Sequence, residues 1–313
     1  MPSQDAQNLA PRARLVMELA QQLGFALVGI APAQPSEHAE TVRQWISEGR
    51  HGEMHYLAEH LDLRLDPARL LPGARSVIAV ADLYHHPSQA PAEAEARPSS
   101  ASGDSPLPRG RVRGRVARYA WGEDYHKVIK KRLHQMADAL RERFPDAAFR
   151  CTVDTAPALE REHAMRAGLG WVGKHTLLIH PRHGSWTLLG LILTTLAIQD
   201  SAQAGFPGRT VVPADHCGTC TRCIDACPTQ CIENPDLTGR RAIDATRCIS
   251  YLTLEHRGPI DPSLHRAMGD WIAGCDVCQE VCPFNSEDRL LRVPEKGGDQ
   301  ETQGGLLAVH PSY

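Results

Sequence analysis

Cys217-Gly218-Thr219-Cys220-Thr221-Arg222-Cys223-Ile224-Asp225-Ala226-Cys227-Pro228 is the stretch on which the reading of this chain turns. Its spacing, C-x2-C-x2-C-x3-C-P, is that of thiolate ligands to four-iron, four-sulfur cubes. A tight turn converges three sulfurs on one cube, and the fourth, leaving on a helix, points toward a second. Downstream, Cys275, Cys278 and Cys282-Pro283 repeat the pattern without its early member, which Cys248 can supply. Crossed ligation then assigns one 4Fe-4S cluster to Cys217, Cys220, Cys223 and Cys282, and the other to Cys227, Cys248, Cys275 and Cys278. Structural zinc also uses C-x2-C pairs, but it has no use for the third cysteine of the run or for the paired Cys-Pro endings.

Outward from that stretch, nine of the ten cysteines fall after residue 216 at metal-ligand spacings. A secreted disulfide framework would also be cysteine-rich, but the first thirty residues show no basic start, apolar stretch and small-residue cleavage site, so a cytoplasmic address is expected. The apolar run Leu188 to Ala197 is broken by threonines and a glycine and falls short of the ~20 residues of a spanning helix, so no membrane partner is expected. Cys231, outside both sets, reads as a small buried residue, and Cys151 as an inert thiol in a strand. A formal charge of -3 and a pI near 6.6 exclude a globally basic nucleic-acid binder, so any polyanion site must be local.

Upstream, Leu15, Val16, Leu19, Ala20 and Leu23 recur at helical spacing, and Phe25 to Ile30 reads as a buried strand. A second strand is expected at Val77 to Val80. Asp124 is placed to cap a helix running to Phe144, with an apolar stripe of Val128, Ile129, Leu133, Met136 and Leu140. Phe149 to Val153, Thr176 to His180 and Trp186 to Thr195 read as strands, with a helix over Ala158 to Ala167 closed by Gly168. Alternating helices and strands argue for one mixed sheet. The expected divisions are a catalytic domain over 1–205 with a mobile loop at 87–114, a cluster domain over 206–290, and a disordered tail over 291–313. Two adjacent clusters form an electron conduit, so the larger domain is expected to consume the electrons.

Many motifs in order resemble the epoxyqueuosine reductase family over roughly residues 10–290. They are Arg64-x-Asp66-Pro67 with Leu71-Pro72-Gly73-Ala74-Arg75-Ser76-Val77, Tyr119-Ala120-Trp121-Gly122 with Asp124-Tyr125-His126, and Val153-Asp154-Thr155 with Glu160-Arg161. Gly170-Trp171-x-Gly173-Lys174, Gly184-Ser185, Arg247 to Thr253 with Glu255-His256-Arg257-Gly258, and Gly274-Cys275-Asp276-x-Cys278-Gln279 continue the series. The resemblance implies an α+β fold: a flavin-reductase-like α/β domain holding cobalamin, followed by a bacterial two-cluster ferredoxin-like domain. It further implies that the clusters reduce cobalt to a low-valent nucleophile that opens the epoxide of epoxyqueuosine in tRNA, giving queuosine.

In that frame Asp154 matches the general acid. An aspartate with its ordinary pKa of about 3.9 is ionised at neutral pH, so burial against the corrin would have to raise it; the competing reading is a polar cap for the helix near Ala158. Arg64, Lys174, Ser185, Ser250 and His256 fall in motifs that line the corrinoid or the tRNA-facing cleft, Lys174 either neutralising a corrinoid phosphate or lying in solvent. Arg109, Arg111, Arg113, Arg115 and Arg118, then Lys127, Lys130, Lys131 and Arg132, are the densest basic run and the candidate phosphate grip. The expected partners are tRNA carrying epoxyqueuosine and a low-potential electron donor, with the chain acting as a monomer. The competing functions are a corrinoid-dependent reductive dehalogenase and a non-catalytic ferredoxin-type electron carrier. Longer family members carry a helical-repeat extension that this sequence does not.

Overall fold

The computed structural model describes residues 8–85, 114–201, 215–235 and 239–291. Most of the expected loop at 87–114 and nearly all of the tail at 291–313 lie outside the described residues. The amino-terminal part runs α1 (Leu9–Gln22), β1 (Leu27–Pro32), α2 (Ala39–Ser47), the short helices α3 (His55–Glu59), α4 (Leu61–Leu65) and α5 (Pro67–Leu70), then β2 (Ser76–Leu83). After β3 (Arg115–Val116) come α6 (Tyr125–Arg143), β4 (Phe149–Thr152), α7 (Glu160–Arg166), the β5 (Trp171–Val172) and β6 (Leu178–Ile179) hairpin, and β7 (Thr187–Thr194). The cysteine-bearing part holds α8 (Arg222–Asp225), α9 (Ile249–Leu254), α10 (Pro262–Met268), β8 (Trp271–Ala273), α11 (Val277–Glu280) and α12 (Glu287–Leu291).

The main sheet has the order β1-β2-β7-β4, and every pairing in it is antiparallel. The mixed sheet expected from helix-strand alternation is therefore corrected. A parallel return needs a crossover helix packed on the sheet, whereas α2 and α3 bury no residue of their own and Trp45 of α2 packs with Tyr251, Leu252 and Trp271 of the cysteine-bearing part.

Strand β2 is buried along its whole length, and its alternation divides two cores. Ile78 and Val80 face Val16, Ala20, Ile129, Leu133, Met136 and Leu140 of α1 and α6, while Val77, Ala79 and Ala81 face Ala164 of α7 and its following turn. Each large apolar side chain sealed under α6 stabilises the sheet by roughly 1.5–3 kcal/mol. Gly190 in β7 allows α6 this close, because a Cβ there would stand 2.8 Å from Ile129 and 2.9 Å from Leu133. Asp124 caps α6 as expected, accepting from the His126 amide at 3.1 Å.

The two parts interlock. β3 pairs in parallel with β8, and Trp45 Nε1 donates to the Ile243 carbonyl at 2.7 Å. A buried network rivets the seam: Ser185 Oγ donates to Gln279 Oε1 at 2.9 Å, Asn285 Nδ2 to Ser185 Oγ at 2.8 Å, and Gln279 Nε2 to Tyr84 Oη at 3.0 Å. No helix among the described residues is long and apolar enough to cross a membrane.

Candidate functional site

The cysteine spacings become geometry through short turns. Gly218 takes a φ of +46°, a conformation glycine enters without a Cβ clash, and Cys220 N donates to Cys217 O at 2.9 Å to close the first turn. Cys223, on α8, has its thiol pushed up to about 11, first by burial and then by the neighbouring Cys282, Cys217 and Cys220. Burial and Cys275, Cys248, Cys223 and Cys227 act in the same way on Cys278. Cys223 thus lies near Cys217, Cys220 and Cys282, and Cys278 near Cys227, Cys248 and Cys275, with Cys223 and Cys278 neighbours of one another. Among the described residues no three His, Cys, Asp or Glu side chains gather closely enough for a single metal ion. Cys231 is buried, as expected, but its sulfur lies 3.4 Å from that of Cys227. Cys151 is half-buried in β4, and burial pushes its thiol up to about 11, which leaves it inert.

A cleft opens beside the second set, where Asp154 ends β4. Asp154 holds a left-handed φ of +49°, a conformation that costs a non-glycine residue about 1–3 kcal/mol unless its neighbours fix it. They do so here: its amide donates to Glu160 Oε1 at 2.7 Å, and its Oδ2 accepts from Tyr125 Oη at 2.9 Å and lies 3.0 Å from His126 Nε2. The opposite ring nitrogen, His126 Nδ1, lies 2.9 Å from Asp124 Oδ1, so the imidazole is clamped between two carboxylates. Desolvation works against the imidazolium, but those two carboxylates outweigh it and the His126 pKa rises above its ordinary value. Burial pushes the Glu160 carboxyl up to about 7, with the Asp154 charge adding to it and the Asp154 amide and Arg161 opposing.

Arg161 joins this acid group to the sulfurs. Its guanidinium donates to the Thr176 carbonyl at 3.0 Å; desolvation lowers its pKa, while Glu160, Asp154, Cys278 and Cys248 oppose that shift. Arg161 is exposed to solvent although protein surrounds it, as at the wall of an open recess, and Asp154 beside it is exposed as well. Tyr56, Tyr119 and Tyr125 feel the Asp154 charge from the walls. Arg64 faces the same group; desolvation lowers its pKa against the pull of Tyr56, Asp154 and Glu160, and its Nε is buried with no hydrogen-bond partner among the described residues. An aromatic recess with one orphaned guanidinium nitrogen suits a large, mostly apolar ligand with acceptor groups at its edge.

Asp154 and Arg64 therefore meet in the cleft, and the cap reading of Asp154 is removed, because α7 starts at Glu160 with Leu159 before it and no side-chain cap. Lys174 and Ser185 are spent elsewhere: Lys174 Nζ donates to the Gly218 and Cys220 carbonyls at 2.8 and 2.9 Å, and Ser185 belongs to the buried seam. The amides of Ser250 and Tyr251 donate toward Cys248, so Ser250 serves the second set. His256 Nδ1 pairs with Glu53 Oε1 at 3.0 Å and its other nitrogen lies 3.3 Å from the Pro259 carbonyl. The basic run is also corrected. Arg132 is buried under α6 in an ion pair with Asp82 and over the Phe25 ring, Arg115 and Arg118 pair with Glu280, and Arg118 also binds Asp276, while Lys127, Lys130 and Lys131 remain exposed. Arg109, Arg111 and Arg113 lie outside the described residues. Tyr125, His126, Glu160 and Arg161 join the site although their motifs alone assign them no role; the Asp124-Tyr125-His126 helix start is the available signal.

Comparison with known proteins follows this division of the molecule. The family model "Epoxyqueuosine reductase QueG, DUF1730" matches residues 64–155, and "4Fe-4S double cluster binding domain" matches residues 216–285. The chain is 40% identical over 280 residues to the epoxyqueuosine reductase of Xanthomonas campestris pv. campestris, covering 90% of this chain and 72% of the relative. It is 37% identical over 304 residues to that of Pseudomonas aeruginosa, covering 96% of this chain and 76% of the relative. A crystal structure of epoxyqueuosine reductase with an epoxyqueuosine-modified tRNA-Tyr stem loop superposes with a TM-score of 0.72 at 28% identity. A Bacillus subtilis epoxyqueuosine reductase with its catalytic aspartate loop swung out of the active site superposes at 0.71 and 27%. The alignment with each of these structures covers 89% of this chain and 66% of theirs, so the chain spans about two thirds of their length.

Proposed function

This chain belongs to the epoxyqueuosine reductase family, and from that premise we propose that it reduces epoxyqueuosine to queuosine at the anticodon wobble position of tRNA. The observation that carries the proposal is the meeting, in one recess, of the Asp154-His126-Asp124 chain with Arg161 and the second cysteine set. Relatives aligned across both parts of the chain carry this name, which favours it over the dehalogenase and electron-carrier readings. The two cysteine sets suit two 4Fe-4S clusters, and the recess walled by Tyr56, Tyr119 and Tyr125 with Arg64 at its edge suits cobalamin. When bound, these groups supply single electrons and a low-valent cobalt nucleophile.

The chain's own residues manage the protons. Tyr125 and His126 aim the Asp154 carboxyl into the recess, where it protonates the oxygen that leaves the substrate carbon. His126 Nε2-H then returns a proton to Asp154, and the imidazole left behind keeps its Nδ1 proton on Asp124. Glu160, with a pKa of about 7, holds the Asp154 amide and keeps the strained turn in place. Arg161 balances the negative charge of the acid group against that of the thiolates. Lys127, Lys130 and Lys131 are exposed on the same helix that carries His126, which supports a phosphate grip beside the recess. A low-potential donor supplies the electrons, and the chain works as a cytoplasmic monomer.

Anaerobic incubation with cobalamin, a low-potential reductant and epoxyqueuosine-containing tRNA, followed by nucleoside mass analysis, tests the proposal. Queuosine is expected; recovery of epoxyqueuosine unchanged from protein loaded with both clusters and cobalamin would refute it.

A further inference from the structure

We infer that Trp171 and Lys174, both from the β5-β6 segment of the α/β part, raise the reduction potential of the cluster held by Cys217, Cys220, Cys223 and Cys282. The inference rests on the reading of those cysteines as cluster ligands and adds two side chains that tune them from the other side of the seam.

Trp171 is only 2% exposed, and its indole Nε1 donates to Cys217 Sγ at 3.5 Å. The ring is held edge-on by Phe284 at 4.8 Å and His216 at 5.0 Å, residues that flank ligands Cys282 and Cys217. Lys174 is 8% exposed, and its ammonium donates to the carbonyls of Gly218 and Cys220, inside the ligand loop itself, at 2.8 and 2.9 Å. Among the described residues no carboxylate pairs with it, so a whole positive charge is buried against the loop.

A cluster that accepts one electron gains one negative charge on its iron and sulfur atoms. An N-H aimed at a ligand sulfur and a buried cation both stabilise that extra charge, and in a low-dielectric interior the cation acts strongly. The second set has a cation within electrostatic reach as well, Arg161, but Glu160 and Asp154 offset it. The α/β part therefore tunes the first cluster by docking on it.

The test is a redox titration of anaerobic holoprotein followed by electron paramagnetic resonance, after iron and sulfide analysis. Lys174→Met removes the charge and keeps the stem, Lys174→Arg restores the charge, and Trp171→Phe removes the N-H while keeping a ring against Phe284. At a fixed potential near the midpoint, the reduced-to-oxidised ratio of one cluster should fall about tenfold in Lys174→Met, a 59 mV shift for one electron. It should fall about threefold in Trp171→Phe and stay within about twofold of the parent in Lys174→Arg, while the other cluster is unmoved. Should Lys174→Met fail to assemble its cluster, Trp171→Phe decides. Unchanged ratios in fully loaded variants overturn the inference alone; parent protein without iron and sulfide overturns the ligand reading beneath it.

Discussion

The four-stranded sheet and the cysteine-bearing part differ in what holds them together. Around the sheet, Phe25, Ile30, Ile78, Leu133, Met136, Leu140, Leu191 and Ile192 are sealed from solvent between helices of up to 19 residues. Among the described residues of the cysteine-bearing part no helix exceeds seven residues, and one of its apolar groups is mostly cysteine: Cys223, Cys227, Cys231 and Ile232. Helices that short do not persist on their own. One region is thus folded by its core, and the other by its ligands and by the seam through Gln279 and Asn285.

Removing iron should expose that difference most strongly. Anaerobic chelation is expected to collapse amide-exchange protection across the cysteine-bearing segments while β2 and β7 keep theirs; equal loss in the sheet would break the comparison. Cys278→Ala should follow, with one cluster and all turnover lost, whereas Cys231→Ala should retain both clusters by iron and sulfide analysis, because Cys231 completes neither set.

Within the cleft, His126→Asn should slow turnover by about 10²–10⁴-fold with both clusters retained. The pH dependence has a defined sign. His126 has a folded pKa above its ordinary 6.5, so the charged clamp on Asp154 is complete below that value and is lost as pH rises through the raised one. The rate of the parent should fall on the alkaline side, and the part of that limb due to His126 should vanish in His126→Asn. Glu160, with a pKa of about 7, also titrates in this window, so a residual limb in the variant that Glu160→Gln removes would sharpen the assignment.

For the sheet, Asp82→Asn should lower stability by about 3–5 kcal/mol, since it leaves Arg132 buried without its counter-ion; thermal unfolding of the loaded protein reads this, and an unchanged Tm would show that the pair is not buried. The smallest effect is expected at the surface. Lys130→Glu with Lys131→Glu should weaken tRNA binding most at low salt and flatten the salt dependence by about one unit of slope per lysine.

The runs Cys217 to Cys227 and Cys275 to Cys282 are written at short spacing and so are legible in the sequence, as are the Asp124 cap and the apolar stripe of α6. Arg132 misled as part of a lysine and arginine run, although it stands three residues after Ile129, on the stripe, and its partner Asp82 is distant in sequence. Lys174 and Ser185 were misplaced for the same reason: each finds its partner in the cysteine-bearing part, beyond any local pattern. The left-handed turn at Asp154 left no mark, since aspartate tolerates it and no glycine announces it. The antiparallel sheet was hidden because helix-strand alternation does not say which helices stay on the sheet.

In the proposed reaction, protons held at Asp154 meet electrons delivered from the second cysteine set. Single-turnover reaction of the anaerobically reduced, fully loaded parent and Asp154→Asn with epoxyqueuosine-containing tRNA tests it most directly. Queuosine from the parent and intact epoxyqueuosine from the variant, at equal iron, sulfide and cobalamin content, is the expected result; queuosine from both at the same rate would contradict it.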